Sequence, residues 1–245
     1  MGAAGRDESV VLGDGRTLEY WEGGDPHGRA VIWQPGTPVT RVLGRWGHDA
    51  AVAAGVRLIG LNRPGYGGSS LRPGAPSLLA VGRDTIELAR LLRIPEFAVF
   101  GCSGGGPFAA ATAVAGREAV RAVGLVGAIG PWRLLEGPDA NPADRACLAL
   151  QDSGDAAAAW DCMFAMAVEE RGRLEPAEYR ELIFRGEESS IVHDERYRRM
   201  WLENLRIVRE NLGGYVYDNL AWGAEWDVDP GDATAPAFLF YGTGD

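Results

Sequence analysis

The chain has 245 residues, which is enough for one large domain or for a core domain with a substantial insertion. Its formal net charge of −10 is uneven, because residues 1–130 have 13 arginines against 11 acidic residues and residues 131–245 have 11 arginines against 23 acidic residues. A negative second half repels nucleic acid and anionic membranes, so we expect neither as a partner.

Cysteine usage and the lack of a targeting pattern indicate a cytoplasmic protein. Cys102, Cys147 and Cys162 show no metal-ligand spacing, and an odd, sparse set of cysteines is typical of reduced thiols. The opening MGAAGRDESVV lacks the apolar core of a signal peptide, and no later apolar run approaches the length of a membrane span. We therefore expect reduced cysteines and no bound metal.

Residues 9–130 alternate between strand and helix patterns. Six apolar runs predict strands: 9–12, 17–22, 30–34, 56–62, 97–101 and 119–130. Three longer stretches between them predict helices: roughly 41–54, 78–92 and 104–115. The alternation indicates the α/β class, with a mostly parallel sheet, helices on both faces and right-handed crossovers.

The second half of the chain has a different pattern. Four stretches there predict helices without a clear strand among them: 142–152, 155–171, 176–187 and 194–212. A buried-type strand and a turn return in 235–245. We therefore divide the chain into the first part of an α/β core (1–130), an inserted helical cap (131–232) and a returning core strand (233–245).

The stretch VFGCSGGGPFAAATA, residues 99–113, runs from an apolar strand through glycines into an alanine-rich helix. Strand, Gly-x-Ser-x-Gly and helix together form the nucleophile-elbow pattern, in which Ser103 stands at a sharp turn. Gly101 and 104–106 leave room for that turn, since glycine tolerates unusual backbone angles and close approach. Oriented N–H groups at the start of the helix favour developing negative charge.

Two other interpretations of this turn are open. GGGPFA, residues 104–109, satisfies the G-x-G-x-x-A pattern of dinucleotide binding, although the next predicted strand ends in VGAIGPW without the acidic residue that pattern requires. Alternatively, the glycines only let a helix pack tightly on a strand.

Three motifs together make the chain resemble the α/β-hydrolase family. They are GCSGGGP (101–107), WQPGTP (33–38) after the third strand, and LNRPGYGGSS (61–70) after the fourth. The first is similar to the family's nucleophile turn, the second to its His-Gly-x-Pro oxyanion loop, and the third to its Asp-Arg-Pro-Gly-x-Gly-x-Ser turn. The resemblance extends from about residue 9 to the end of the sequence and is vague in the helical block.

The resemblance implies roles for four residues. Ser103 would be the nucleophile, and the backbone N–H groups of Thr37 and Gly104 would form the oxyanion hole. Asp245, in the YGTGD turn after the last apolar strand, would be the acid that orients a histidine. The resemblance implies no cofactor and no metal, and a small-molecule substrate.

The sequence departs from the family pattern at three positions. Pro35 stands where histidine is usual, Val39 where glycine is common, and Asn62 where aspartate is common. Because Pro35 lacks the histidine side chain that usually braces the oxyanion loop, we expect that loop to be supported differently. We expect the RPGYGGSS turn to be structural, with Arg63 as a candidate brace of that turn.

The general base is the missing element. The family order is serine, acid, histidine, yet His27, His48 and His193 all precede Asp245. His193 is the least implausible substitute, and all three are more simply surface or packing residues. We therefore expect the chain to be truncated before the final strand, helix and catalytic histidine, which would leave the FLFY segment as an exposed apolar edge.

The predicted helical block is rich in aromatic and methionine side chains, which helical spacing makes mostly packing residues. They are Trp132, Trp160, Trp201, Trp222, Trp226, Met163, Phe164, Met166 and Tyr215. Those that face the serine would line an apolar pocket. With the acidic charge, this favours a small, partly hydrophobic, neutral or weakly cationic substrate such as an ester, lactone or amide.

The leading hypothesis is thus a serine hydrolase that is incomplete as the 245-residue chain. One alternative is a non-catalytic binding protein on the same fold. Another is a lyase or cofactor-free oxidoreductase that uses the same residues, since a fold alone does not determine the chemistry.

Overall fold

The computed structural model describes residues 5–131, 142–169 and 194–242. Within these ranges, three strands come first, strands and helices alternate from the third strand to the sixth, helices follow, and one further strand comes last. In chain order they are β1 (Arg6–Val11), β2 (Thr17–Gly24), β3 (Arg29–Gln34), α1 (His48–Ala53), β4 (Val56–Leu61), α2 (Leu78–Leu91), β5 (Phe97–Cys102), α3 (Gly106–Ala115), β6 (Val120–Val126), α4 (Pro142–Asp152), α5 (Ala156–Ala167), α6 (Glu195–Glu210), α7 (Gly213–Gly223) and β7 (Ala237–Phe240).

The strands form one seven-stranded sheet in the order β1-β2-β4-β3-β5-β6-β7. β1 and β2 pair antiparallel, as do β2 and β4, and every pair from β4 to β7 is parallel. The predicted mostly parallel α/β sheet is therefore confirmed. Neighbouring parallel strands end at one edge of the sheet, where Gln34 of β3 pairs with Gly101 of β5.

Helices cover both faces of the sheet. Successive side chains of a strand point to opposite faces, and in the central strands both sets are apolar, so each face needs a helix layer to bury it. On one face, Ile32, Ile59 and Val99 pack with residues of α2 and α3 into the largest core cluster. On the other face, Leu58 packs with Trp21 and with Ala51 of α1. The layers therefore hold the carboxyl ends of β3, β4 and β5 in fixed positions.

Helices α4 to α7 lie between β6 and β7 in the chain, and we call them the helical segment. Their buried residues, among them Met163, Val208 and Leu220, form a cluster of their own, which Tyr66 from the core joins. The expected helix at 176–187 and residues 170–171 of the expected helix 155–171 lie outside the described residues. α7 was not expected from the sequence, because glycine lowers helix propensity and this helix begins at Gly213–Gly214.

The expectation of reduced cysteines is wrong for two of the three. Cys147 of α4 and Cys162 of α5 form a disulfide, with their Cα atoms 5.4 Å apart, whereas Cys102 is free. The two helices pack against each other within the helical segment, which brings together cysteines 15 positions apart in the sequence. Sparse cysteine spacing did not show this pairing because it depends on how the helices dock.

The last strand, β7, is less buried than its apolar composition predicts. The apolar run at β7 predicts a buried strand, but all four of its residues are exposed. β7 is the outermost strand beside β6, so the described residues leave its far edge uncovered. The expected exposed FLFY edge is therefore present, with Phe238, Leu239 and Phe240 accessible to solvent.

Candidate functional site

Ser103 stands at the turn between β5 and α3. A single 3₁₀ turn, Ser103–Gly105, joins the strand to the helix. Ser103 has φ of +50°, in the left-handed region that non-glycine residues seldom adopt, and its side chain is exposed. A strained backbone conformation persists only where the surrounding structure enforces it, and such residues cluster at functional sites.

The glycines of the turn are required by contacts within the protein. A Cβ at Gly101 would lie 2.2 Å from the carbonyl oxygen of Gly105, and a Cβ at Gly105 would lie 2.2 Å from that of Gln34. A Cβ at Gly106 would lie 2.3 Å from Cβ of Ala128. The alternative that these glycines permit tight packing therefore applies to all three, while Gly104 has a different neighbour.

Gly104 faces the loop after β3. A Cβ at Gly104 would lie 2.6 Å from Oγ1 and 3.3 Å from the amide nitrogen of Thr37. A Cβ at Gly36 would lie 3.6 Å from Cβ of Ser103. The parallel pairing of β3 with β5 thus brings three of the four predicted site residues together: Ser103, Thr37 and Gly104. The fourth, Asp245, lies outside the described residues.

Arg63 supports this loop in place of the missing histidine. Its Nη1 donates to the carbonyl oxygen of Pro35, and its Nη2 donates to that of Gly36 at 3.1 Å. The expectation that the loop is supported differently is therefore confirmed, and Arg63, which was expected as a brace of its own Gly/Pro turn, provides this support. The guanidinium is fully buried and lies over the ring of Phe108, with Cζ 4.6 Å from the centroid.

Asp218 of α7 is the charge partner of Arg63. Its carboxylate accepts from Nε and Nη2 of Arg63 at 2.9 and 2.5 Å, from the hydroxyl of Tyr66 at 2.8 Å and from that of Thr37 at 2.7 Å. Burial acts to lower the pKa of Arg63, but the Asp218 carboxylate outweighs it and leaves that pKa raised. Burial, with the same carboxylate, raises the pKa of Tyr66 well above its usual value.

Asn204 of α6 holds the other end of the loop. Its Oδ1 accepts from the amide of Thr40 at 2.7 Å, and its Nδ2 donates to the carbonyl oxygen of Pro38 at 3.1 Å. The side chain is fully buried. Neither Asn204 nor Asp218 was singled out in the sequence, where they stand as ordinary polar residues of a helical pattern.

Asn62, at the position where aspartate is common, also binds neighbouring structure. Its Oδ1 accepts from the amide of Arg41 at 2.7 Å, and its Nδ2 donates to Glu19 at 2.9 Å. An amide suits this position because it both accepts and donates, which a carboxylate does not do.

The two described histidines lie away from Ser103. The Nδ1 of His48 accepts from the amide of Gly24 at 3.1 Å, and Gly24 pairs with Arg57 near the start of β4. His27 precedes β3, and strand starts lie at the sheet edge opposite to Ser103. Both are therefore surface or packing residues. His193 lies outside the described residues.

Cys102 precedes the serine, and burial raises the pKa of its thiol. The thiol thus stays protonated at neutral pH, which agrees with a packing role and not with a second nucleophile. Among residues 5–131, 142–169 and 194–242, no group of three or more His, Cys, Asp or Glu side chains could hold a metal ion. In the same residues, no helix is long and apolar enough to cross a membrane.

Comparisons with known proteins identify the fold. The chain matches an enol-lactonase from Burkholderia xenovorans LB400 with a TM-score of 0.60 and 18% identity, over 96% of this chain and 81% of that one. It matches an epoxide hydrolase from Vigna radiata with a TM-score of 0.67 and 15% identity, over 98% and 80%. A thermophilic esterase from Thermogutta terrifontis matches with a TM-score of 0.62 and 18% identity, over 96% and 79%.

The chain therefore has the α/β-hydrolase fold. At these identities the likeness establishes the architecture and not the reaction. No family model matches the sequence, and no curated protein does.

Proposed function

We propose that the protein is a serine hydrolase that acts on a small, partly hydrophobic ester, lactone or amide through an acyl-enzyme on Ser103. One observation carries the proposal: an exposed serine in the left-handed backbone conformation faces a loop whose Thr37 amide lies beside Gly104. A nucleophile with backbone N–H groups close to it suits attack on a carbonyl carbon.

In this mechanism, Oγ of Ser103 adds to the carbonyl carbon and its proton passes to a general base. The N–H groups of Thr37 and Gly104 donate to the oxyanion that forms. When the tetrahedral intermediate collapses, the leaving group departs with that proton, and water later hydrolyses the acyl-enzyme by the same path in reverse. Each oxyanion donor contributes about 10²–10³ in rate.

We assign Asp245 as the acid that orients the base. β7 runs parallel to β6, with Phe240 opposite Val126, so the residues after β7 start from the sheet edge that contains Ser103. No described histidine lies at that edge. We therefore expect the 245-residue chain to be catalytically incomplete, with slow acylation and little turnover.

We further propose that the helical segment, within residues 131–232, acts as a cap over the serine. Most of its described aromatic and methionine residues contribute to apolar clusters, which supports a packing role for them. The acidic second half of the chain favours neutral or weakly cationic substrates. Proteins of this fold that are named enol-lactonase and esterase support an ester or lactone as the reacting group.

The test is covalent labelling with a fluorophosphonate probe, on the protein and its variants expressed from the natural gene. Labelling should map to Ser103 and should be lost in Ser103→Ala. Ser153→Ala is the matched control, since Ser153 is an exposed serine whose hydroxyl donates to the carbonyl oxygen of Leu150 in the helical segment. Labelling that persists in Ser103→Ala would refute the nucleophile assignment.

A binding protein without turnover is the second candidate, and the positions of His27 and His48 favour it. A lyase or cofactor-free oxidoreductase on the same residues is a third. Tight binding of an ester that is recovered intact, with no labelling of Ser103, would identify the binding protein. Release of acid and alcohol in equal amounts would instead identify the hydrolase.

A further inference from the structure

We propose that Asn204 and Asp218 are positioning residues that set the Thr37 amide for the oxyanion, so that the helical segment is part of the catalytic apparatus. This inference rests on the proposed function and extends it. It concerns residues outside the predicted nucleophile, acid and oxyanion donors.

The loop after β3 is held almost entirely by side chains from other elements. Two of its carbonyl oxygens, those of Pro35 and Gly36, accept from Arg63. The hydroxyl of Thr37 donates to Asp218. The Asn204 side chain donates to the carbonyl oxygen of Pro38 and accepts from the amide of Thr40. One backbone hydrogen bond within the loop, from Val39 to Gly36 at 2.9 Å, completes the turn.

The Thr37 amide itself makes no hydrogen bond to any residue in the described part of the chain. Its neighbours on either side are therefore fixed while its own N–H remains available beside Gly104. An oxyanion donor works best when it is pre-oriented, because no reorganisation is then needed as charge develops. Asn204 and Asp218 supply this orientation from two different helices.

Burial shields these contacts from water. Asn204, Asp218 and Arg63 are at most 1% exposed, so water does not readily replace a lost hydrogen bond. Asp218 joins Arg63 and Thr37 through one carboxylate, and a shift of α7 would move both contacts. In a buried, low-dielectric network, the loss of one partner leaves the others unsatisfied.

Ion pairs also fasten the helical segment to the core beside the loop. Glu203, next to Asn204, accepts from Arg45 at 2.9 Å, and Arg196 at the start of α6 contacts Asp49 of α1 at 3.2 Å. These exposed pairs are individually weak. Together with the Asn204 hydrogen bonds, these ion pairs fix the position of α6 relative to the loop. A displacement of α6 from the core would break the hydrogen bonds of Asn204 to Pro38 and Thr40.

The experiment compares Asp218→Asn and Asn204→Ala with two matched controls. Asp84→Asn removes another buried carboxylate with a two-point contact to an arginine, Arg16 at 2.6 Å, and it also loses the ion pair with Arg72 at 3.1 Å. Within the described residues, the hydrogen bonds of Asp84 involve no residue of the loop. Asn219→Ala removes an amide of α7 whose one hydrogen bond within the described part of the chain is to the carbonyl oxygen of Tyr215. For each variant, expressed from the natural gene as in the labelling test, we would measure kcat and KM for p-nitrophenyl acetate, affinity for a trifluoromethyl ketone, and Tm.

The two loop variants should lower kcat by about 10- to 100-fold, since a displaced donor loses part of the 10²–10³ that its removal costs. Affinity for the trifluoromethyl ketone should fall in parallel, because Oγ of Ser103 adds to its carbonyl carbon and gives a hemiketal whose oxygen occupies the oxyanion position, while KM changes little. The controls should change Tm without changing kcat. Thr37→Val keeps the amide and loses the two contacts of the hydroxyl, to Asp218 at 2.7 Å and the longer one from Arg63 at 3.4 Å. This variant tests the inference if Asp218→Asn does not fold.

Several outcomes would overturn the inference. If Asp218→Asn, Asn204→Ala and Thr37→Val lowered kcat no more than the controls, the residues would be structural only. A rise in KM at constant kcat would assign them to substrate binding. A wild-type protein, expressed from the natural gene, that neither labels at Ser103 nor turns over the ester would refute the proposed function, and this inference with it.

Discussion

Gly104 lies so close to Thr37 that a Cβ on the glycine would be 2.6 Å from the threonine hydroxyl and 3.0 Å from its Cβ. Gly104→Ala should therefore push Thr37 out of position. We expect the rate of fluorophosphonate labelling at Ser103 to fall about 100-fold, the loss typical of one oxyanion donor. Thermal stability should fall less, because the displaced group is a side chain that is partly exposed.

Gly130→Ala is the control for this substitution. Gly130 follows the neighbouring strand β6, and no atom of the described residues beyond its two chain neighbours lies within 4 Å of a Cβ added there. Labelling and Tm should both stay at the wild-type values. If Gly104→Ala labelled at the wild-type rate, Thr37 and Gly104 would not form the oxyanion hole.

The sheet and the serine turn were predictable because both depend on local pattern. Period, apolar runs and the G-x-S-x-G spacing are short-range features, and they placed Ser103 at the end of a strand; the roles of Thr37 and Gly104 came from the resemblance to the α/β-hydrolase family. Asp218 was not predictable, since its role requires α7 to dock on Arg63, a residue 155 positions away. Helix α7 itself was not predicted, because it begins with two glycines, which have low helix propensity. Long-range polar contacts leave little trace in a single sequence.

The buried pair of Arg63 and Asp218 should show strong coupling. Arg63→Met leaves the Asp218 carboxylate buried without its main partner, so we expect the free energy of unfolding to fall by about 3–5 kcal/mol. The double variant with Asp218→Leu removes both charges and should lose less than the sum of the two single variants. Urea denaturation of all four proteins measures this coupling energy. Additive losses would show that the pair contributes no specific interaction.

The disulfide between Cys147 and Cys162 should stabilise the helical segment. A closed loop of this length, 15 positions, contributes about 3 kcal/mol when the unfolded chain is the state it constrains. The variant with both cysteines changed to serine should therefore melt at a lower temperature than the oxidised protein. A reducing agent should lower the Tm of the wild type by a similar amount and leave the variant unchanged. Equal melting in all cases would contradict this prediction.

The remaining thiol should react slowly. Burial raises the pKa of Cys102, so at a given pH a smaller fraction is thiolate than in an unfolded peptide. Alkylation by iodoacetamide at pH 8 should be slow, and its rate should rise with pH to a midpoint above that of the same cysteine in urea. Mass spectrometry of the peptide that contains Cys102 follows the reaction. A midpoint below the urea value would instead indicate an activated thiol.

Strand β7 should promote association of the 245-residue chain. Leu239 is 62% exposed on an outer strand whose neighbours Phe238 and Phe240 are also exposed. Unpaired, apolar edge strands pair with other chains, and a lysine on the edge opposes this. We therefore expect Leu239→Lys to lower light scattering at high concentration while leaving Tm almost unchanged, because the side chain makes few buried contacts.

Val11→Lys is the matched control at the opposite edge of the sheet. Val11 is 65% exposed on β1, which begins with the charged residues of the stretch RDESVV. Because charges already protect that edge, an added lysine there should leave scattering unchanged. If the two lysine variants lowered scattering equally, the effect would come from net charge, since each adds one positive charge to an acidic protein. A decrease confined to Leu239→Lys would locate the association at β7.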